Sequence, residues 1–136
     1  MSAKRVLIVD DNAMNITIAS VVLVAEDFIV KSAADAAKAQ QMVASFQPDL
    51  ILMDIQMPGM DGLALTRLLK ADPRARHIVV VAFTAFAMRG DEAKMRAAGC
   101  DGYLSKPIDV KRFGAQVRAC LDAAQSGGSN PSGPPG

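Results

Sequence analysis

Three aspartates, a threonine and a lysine stand out because each closes an apolar run. Asp10 and Asp11 end "RVLIVDD", Asp54 ends "LILMD", Thr84 ends "IVVVAFT" and Lys106 ends "GYLSK". A carboxylate at the edge of a core is costly unless its charge is compensated. Two carboxylates ~5 Å apart repel by about 3 kcal/mol at an effective dielectric of ~20, so three brought together call for a cation. All-oxygen ligands, with no histidine or cysteine available, select a hard ion such as Mg²⁺. Mg²⁺ keeps several waters and favours sites completed by a phosphate. A metal, a lysine and a hydroxyl around one carboxylate meet the needs of phosphoryl transfer, which are in-line positioning and neutralisation of the oxygens. Asp54 is then the nucleophile, forming an acyl phosphate. Asp10 and Asp11 hold the metal directly or through water.

That chemistry exists only if the fold gathers these residues. Strand signals recur at 5–10 (β1), 28–33 (β2), 50–54 (β3), 78–84 (β4) and 102–106 (β5). Three of them are almost continuous apolar runs, the mark of strands covered on both faces in a parallel sheet. Helical patterns fill the gaps. The first, at 13–26 (α1), presents Ile18, Ala19, Val22 and Leu23; the second, at 35–46 (α2), has Asp35 as cap. The third, at 62–70 (α3), carries Leu65, Leu68 and Leu69, and the fourth, at 87–98 (α4), is ended by Gly99. The last, at 109–123 (α5), carries Phe113, Val117, Cys120 and Leu121 behind Asp109 as N-cap. The class is α/β. Right-handed crossovers give a (βα)5 doubly wound parallel sheet, for which the flavodoxin-like strand order 2-1-3-4-5 is the natural candidate. Ligands in such sheets bind beyond the carboxyl ends of the strands, at the switch point, here between β1 and β3.

Composition narrows the function. The chain of 136 residues is about one domain long. Apolar residues make up 51%, yet no uninterrupted apolar run approaches the ~20 residues of a membrane span. The N-terminus lacks the small-residue cleavage site of a secretory signal, so a cytoplasmic location is expected. Net charge is +1 with no concentrated basic face, which argues against nucleic acid as partner. Cys100 and Cys120 have no metal-type spacing and read as small, half-buried thiols. His77, the single histidine, supports neither a metal cluster nor a Ser-His-Asp triad. The expected partition is one domain at 1–123 and a flexible Gly/Ser/Pro-rich tail at 124–136.

The segments "VLIVDDN", "DLILMDIQMPGMDG", "VVAFTA" and "GYLSKPI" lie in this order. Through them the chain resembles the receiver domains of bacterial two-component response regulators, the CheY-like family, over about residues 4–123. The resemblance implies roles. Asp54 is the phosphoacceptor, Asp10 and Asp11 the acidic pair for Mg²⁺, and Gln56 a backbone-carbonyl ligand. Thr84 and Lys106 bind the phosphoryl group, Tyr103 is the switch aromatic, and Lys106–Pro107 carries a cis peptide. A histidine kinase or histidine phosphotransfer protein supplies the phosphoryl group. Output passes to a downstream protein across the α4-β5-α5 face, from a monomer or weak homodimer. The chain would then be a signalling module, not an enzyme, beyond self-phosphorylation and autodephosphorylation.

Switching would follow from one charge event. Phosphorylation adds negative charge beside Thr84; Thr84 moves toward it and Tyr103 turns inward. Gly90 is expected to loosen α4, and Phe86 to shield Asp54 from hydrolytic water. Met14, Ile16, Val21 and Val24, outside the core face assigned to α1, form either a docking patch for a helical phosphodonor or part of a more deeply buried helix. A phosphorelay shuttle would use the same chemistry. A phosphohydrolase of the haloacid-dehalogenase kind would need its nucleophile in a DxD motif ending the first strand, where this chain has "VDDNA". An FMN binder would need a Ser/Thr-rich phosphate loop after β1, where "DDNAMN" would repel a phosphate in the absence of a metal.

Overall fold

A computed structural model describes residues 3–55, 62–84 and 89–127. Gln56, Phe86 and the tail from residue 128 lie outside the described residues. Five parallel strands, β1 Arg5–Val9, β2 Ile29–Ala33, β3 Leu50–Asp54, β4 Val79–Thr84 and β5 Gly102–Ser105, pair in the order 2-1-3-4-5. The helices are α1 Ala13–Ala25, α2 Ala36–Phe46, α3 Gly62–Ala71, α4 Arg89–Ala98 and α5 Phe113–Gly127. None is long and apolar enough to cross a membrane.

Alternation along the strands explains why the sheet is covered twice. Val6, Ile8, Leu50, Leu52, Val81 and Phe83 face α1 and α5, where they meet Leu23, Phe113, Val117 and Leu121. Leu7, Val9, Ile51, Met53 and Val80 point the other way, onto Phe46 of α2 and Leu65 and Leu69 of α3. Both faces of β3 and β4 are therefore buried, which accounts for their unbroken apolar runs. Tyr103 and Ser105 on the edge strand β5 are exposed, with Gly102 and Leu104 half-buried between them.

Helix ends follow local chemistry. Asn12 caps α1 by accepting from the Asn15 amide at 3.0 Å, and Asp35 caps α2 through the Lys38 amide at 2.7 Å. Gly99 ends α4 with a φ of 105°, while the Cys100 amide reaches back to the Met95 carbonyl at 3.0 Å. This is a Schellman stop. The same closure ends α1, where the Phe28 amide donates to the Leu23 carbonyl at 3.0 Å, but Asp27 holds the left-handed position at φ 70°. An L-residue is strained there and glycine is not. Asp27→Gly is therefore expected to raise stability by about 0.5 kcal/mol, after allowing for glycine's greater freedom in the unfolded chain. A thermal melt with an unchanged or lower midpoint would contradict this.

Three helices differ from expectation. In α3, Leu65 and Leu69 are buried but Leu68 is exposed, outside the core face. In α1, Ala19 and Leu23 are buried and Ile16 and Val22 pack on the core, while Ile18 is only half-buried. Ile16 therefore belongs to the core face, not to the outward group. The helix is apolar nearly all round, so periodicity could not select its inner face. In α5, Asp109 makes the bonds of an N-cap, but on a turn that precedes the helix. Its carboxylate accepts from the Lys111 amide at 3.1 Å and its carbonyl from the Phe113 amide at 2.9 Å, forming a separate turn before the helix begins at Phe113. A short side-chain-to-backbone bond of this kind competes with the first helical turn. The other end runs to Gly127, past the expected limit at 123, with Ala124 packed against the core.

Candidate phosphoryl-accepting site

Parallel pairing sets the carboxyl ends of the strands along one edge. Asp54 is the last residue of β3 and Thr84 the last of β4. Asp10 and Lys106 each come one residue after their strands, β1 and β5, but remain tied to the sheet. The Asp10 amide donates to the Ala33 carbonyl at 3.1 Å and the Lys106 amide to the Thr84 carbonyl at 2.8 Å. Asp10, Asp54 and Thr84 are buried, while Asp11 is exposed.

Carboxylate oxygens of Asp10, Asp11 and Asp54 lie within 4.8 Å of one another. Lys106 Nζ stands 3.2 Å from Asp10 Oδ2 and 3.5 Å from Asp54 Oδ2. Three acids against one ammonium leave an excess of negative charge, and the donors are all oxygen. That set fits a hard dication, and the exposed Asp11 leaves one side open to water and substrate. The Lys106–Pro107 bond is cis.

Several contributors escaped the sequence reading. Asp10 Oδ1 accepts from the Asn12 amide at 2.8 Å, and Asn15 Nδ2 reaches Asp10 Oδ2 at 3.4 Å. The start of α1 thus orients a buried acid. "DDNAMN" contained this signal, since asparagine is a strong N-cap and the i, i+3 spacing is that of a cap and its partner. Gly62, at the first position of α3, is a second contributor. A Cβ there would strike the Asp54 carbonyl oxygen and lie 2.8 Å from Ile55 Cα, so only glycine lets α3 approach the Asp54 backbone. Phe83 is a third, with its ring centroid 5.1 Å from Lys106 Nζ.

Tyr103 is 38% exposed, with its hydroxyl 3.5 Å from Glu92 Oε1 on α4. Cys100 and Cys120 are free, half-buried thiols, and burial raises the pKa of both above its ordinary value. A cavity of about 710 Å³, lined by Val43, Leu68, Arg74, His77 and Ile78 among others, lies between α2 and α3 near the start of β4. That is the opposite end of the sheet from the carboxylates, so this hollow is no part of the acidic cluster.

The family profile described as "Response regulator receiver domain" matches residues 6–118. The chain belongs to the response regulator receiver domain family. The polar-differentiation response regulator DivK of Brucella anthropi is 42% identical over 121 residues, covering 89% of this chain and 98% of that one. Among solved structures, the receiver domain of the sensor histidine kinase PA1611 from Pseudomonas aeruginosa has a TM-score of 0.79 at 29% identity, covering 89% of this chain and 99% of the other. It holds a magnesium ion in its active-site cleft. Vibrio cholerae CheY4 has a TM-score of 0.83 at 22% identity over 88% of this chain and 99% of its own, a likeness of fold. Receiver domains bind Mg²⁺ in an acidic pocket, take phosphoryl groups from histidine kinases or phosphotransfer proteins, and bind downstream targets. The acidic cluster of this receiver domain stands at the same end of its sheet as the switch point between β1 and β3.

Proposed function

We propose that this receiver domain accepts a phosphoryl group on Asp54 from the phosphohistidine of a partner protein and signals through altered protein contacts. One observation carries the reading: the buried Asp54 carboxylate shares a 4.8 Å cluster with Asp10 and Asp11 and has Lys106 Nζ 3.5 Å away. An Asp54 oxygen attacks phosphorus as the P–N bond to the donor imidazole breaks, the electron pair leaving on that nitrogen. Mg²⁺ held by Asp10, Asp11, Asp54 and the Gln56 backbone carbonyl would neutralise the phosphoryl oxygens. Lys106 and Thr84 take the remaining oxygens. Tyr103, outward on β5, then turns in and remodels the α4-β5-α5 face, where a downstream protein binds. The compartment that suits this role is the cytoplasm.

The direct test is intact mass after incubation with a small phosphodonor and Mg²⁺. A single phosphoryl adduct is expected, absent in Asp54→Asn and when the metal is chelated. No adduct with any donor, or an adduct that persists in Asp54→Asn, would overturn the assignment.

Docking of the donor falls to α1. Met14, Val21 and Val24 are 67%, 66% and 58% exposed. With Ile18 they form a continuous stripe at i, i+4, i+7 and i+10 beside the acidic cluster. An apolar helical face of this kind suits a helical partner. Val21→Lys, which spares the core-facing Ile16, should slow phosphotransfer from the partner about tenfold or more while leaving the rate from a small phosphodonor unchanged. Equal rates from the partner would exclude the stripe as the docking face.

A further inference from the structure

We infer that Phe83 is the positioning residue for Lys106: its ring is a neutral floor that holds the ammonium against Asp10 and Asp54, and so sets how strongly the lysine competes with a divalent cation for those carboxylates. Phe83 is 1% exposed, and its ring centroid is 5.1 Å from Lys106 Nζ. The lysine side chain is itself only 17% exposed. A cation over an aromatic face is attracted by the ring quadrupole, more strongly when water is excluded. Lysine needs such a hold because its charge sits on a flexible four-carbon stem.

The ring does what another acid could not. A fourth carboxylate would steady Lys106 but neutralise it, removing the positive charge that the phosphoryl oxygens require. An aliphatic residue would fill the space and supply no quadrupole. Phe83 steadies the ammonium and leaves its charge intact. The ring is in turn fixed by Phe113, the first residue of α5, with centroids 5.7 Å apart and planes tilted by 42°. Both rings are buried in the core between the sheet and the α1 and α5 layer. Strand pairing brings the floor to the site, since Phe83 lies opposite Asp54 in the β3–β4 register.

Phe83 matters in this way only if Lys106 serves the phosphoryl site proposed above, yet its effect can be read without phosphorylation. Mg²⁺ affinity is measured by calorimetry for the parent, Phe83→Leu, Lys106→Met and the double variant. Phe83→Leu releases the lysine from the carboxylates, so Mg²⁺ should bind about two- to fivefold more tightly. In the Lys106→Met background the same substitution should change nothing. Unchanged or weaker Mg²⁺ binding in Phe83→Leu would overturn the inference, and so would an equal change in both backgrounds, because a general loosening of the core acts whether or not the lysine is present. Phe83→Met, closer in volume, repeats the cycle should Phe83→Leu fail to fold, with the same sign expected. If the parent takes no phosphoryl group, the proposed function fails, while the Mg²⁺ cycle still decides the role of Phe83.

Discussion

Lys106→Met should melt about 10 °C below the parent in metal-free buffer and recover most of the difference when Mg²⁺ is added. The reason is the asymmetry of buried ion pairs. Lys106 Nζ lies 3.2 Å from Asp10 Oδ2 and 3.5 Å from Asp54 Oδ2, with side-chain exposures of 17%, 1% and 5% in that order. Removing one partner of a buried pair leaves the other charge uncompensated, which destabilises by about 3–5 kcal/mol, against ~0–1 kcal/mol for a surface pair. The residual exposure of the lysine places the expected loss near the lower end of the buried range, about 3 kcal/mol. Mg²⁺ then binds carboxylates freed of their competitor. At 100 times its dissociation constant a ligand specific to the folded state returns about 2.7 kcal/mol. Metal should rescue the fold but not the proposed phosphoryl transfer, in which the phosphoryl oxygens would still lack the ammonium. A Lys106→Met variant as stable as the parent without metal would show that the two contacts behave as surface pairs.

Gly62→Ala carries the second large effect. The added methyl would meet the carbonyl oxygen of Asp54, the proposed nucleophile, and crowd Ile55 Cα at 2.8 Å. These are backbone atoms of the last residue of a central strand buried along its whole length and of the residue that follows it, so they cannot swing aside as a flexible side chain would. The start of α3 must retreat or the end of β3 must shift. Overpacking of this kind costs about 1–3 kcal/mol. Phosphoryl transfer is more sensitive, because a displacement near 1 Å can cost about 100-fold in rate. Adduct formation should slow by at least about tenfold. Leu69→Ala is the control. It is a buried position in the last turn of the same helix, and should lose about 2–5 kcal/mol with an adduct rate within about twofold of the parent at a temperature where both are folded. If Gly62→Ala accepts the phosphoryl group at the parent's rate, the close approach serves packing alone.

The ends of the strands were legible in the sequence because they depend on local pattern. Leu50 to Met53 are apolar and Asp54 is not, so a strand covered on both faces must stop at a carboxylate. The same reasoning located Asp10 and Thr84, whose strands are also buried apolar runs. The doubly wound parallel sheet followed from general rules of handedness and crossover, which hold whatever residues fill the strands; the order 2-1-3-4-5 was the natural candidate among such sheets, and strand pairing decided it. The inner face of α1 was not legible. Its apolar residues surround the helix, and only the sheet beneath shows that Ile16 turns inward while Met14, Val21 and Val24 remain outside. The late start of α5 was hidden for a different reason: Asp109 is chemically competent either to cap a helix or to close a turn, and packing of Phe113 against Phe83 accompanies the second.

What the sequence by itself determined is the inventory of the site and the edge on which it stands, since residue type and strand period are properties of short segments. Only the tertiary structure decided the contacts between segments distant along the chain. Phe83 reads in the sequence as one more apolar residue of β4, and pairing with β3 and β5 places its ring beneath Lys106. Gly62 reads in the sequence only as the start of α3, and the return of that helix over β3 sets it against the Asp54 backbone. Both effects act through space at van der Waals range, and that proximity is created by folding, not by spacing along the chain.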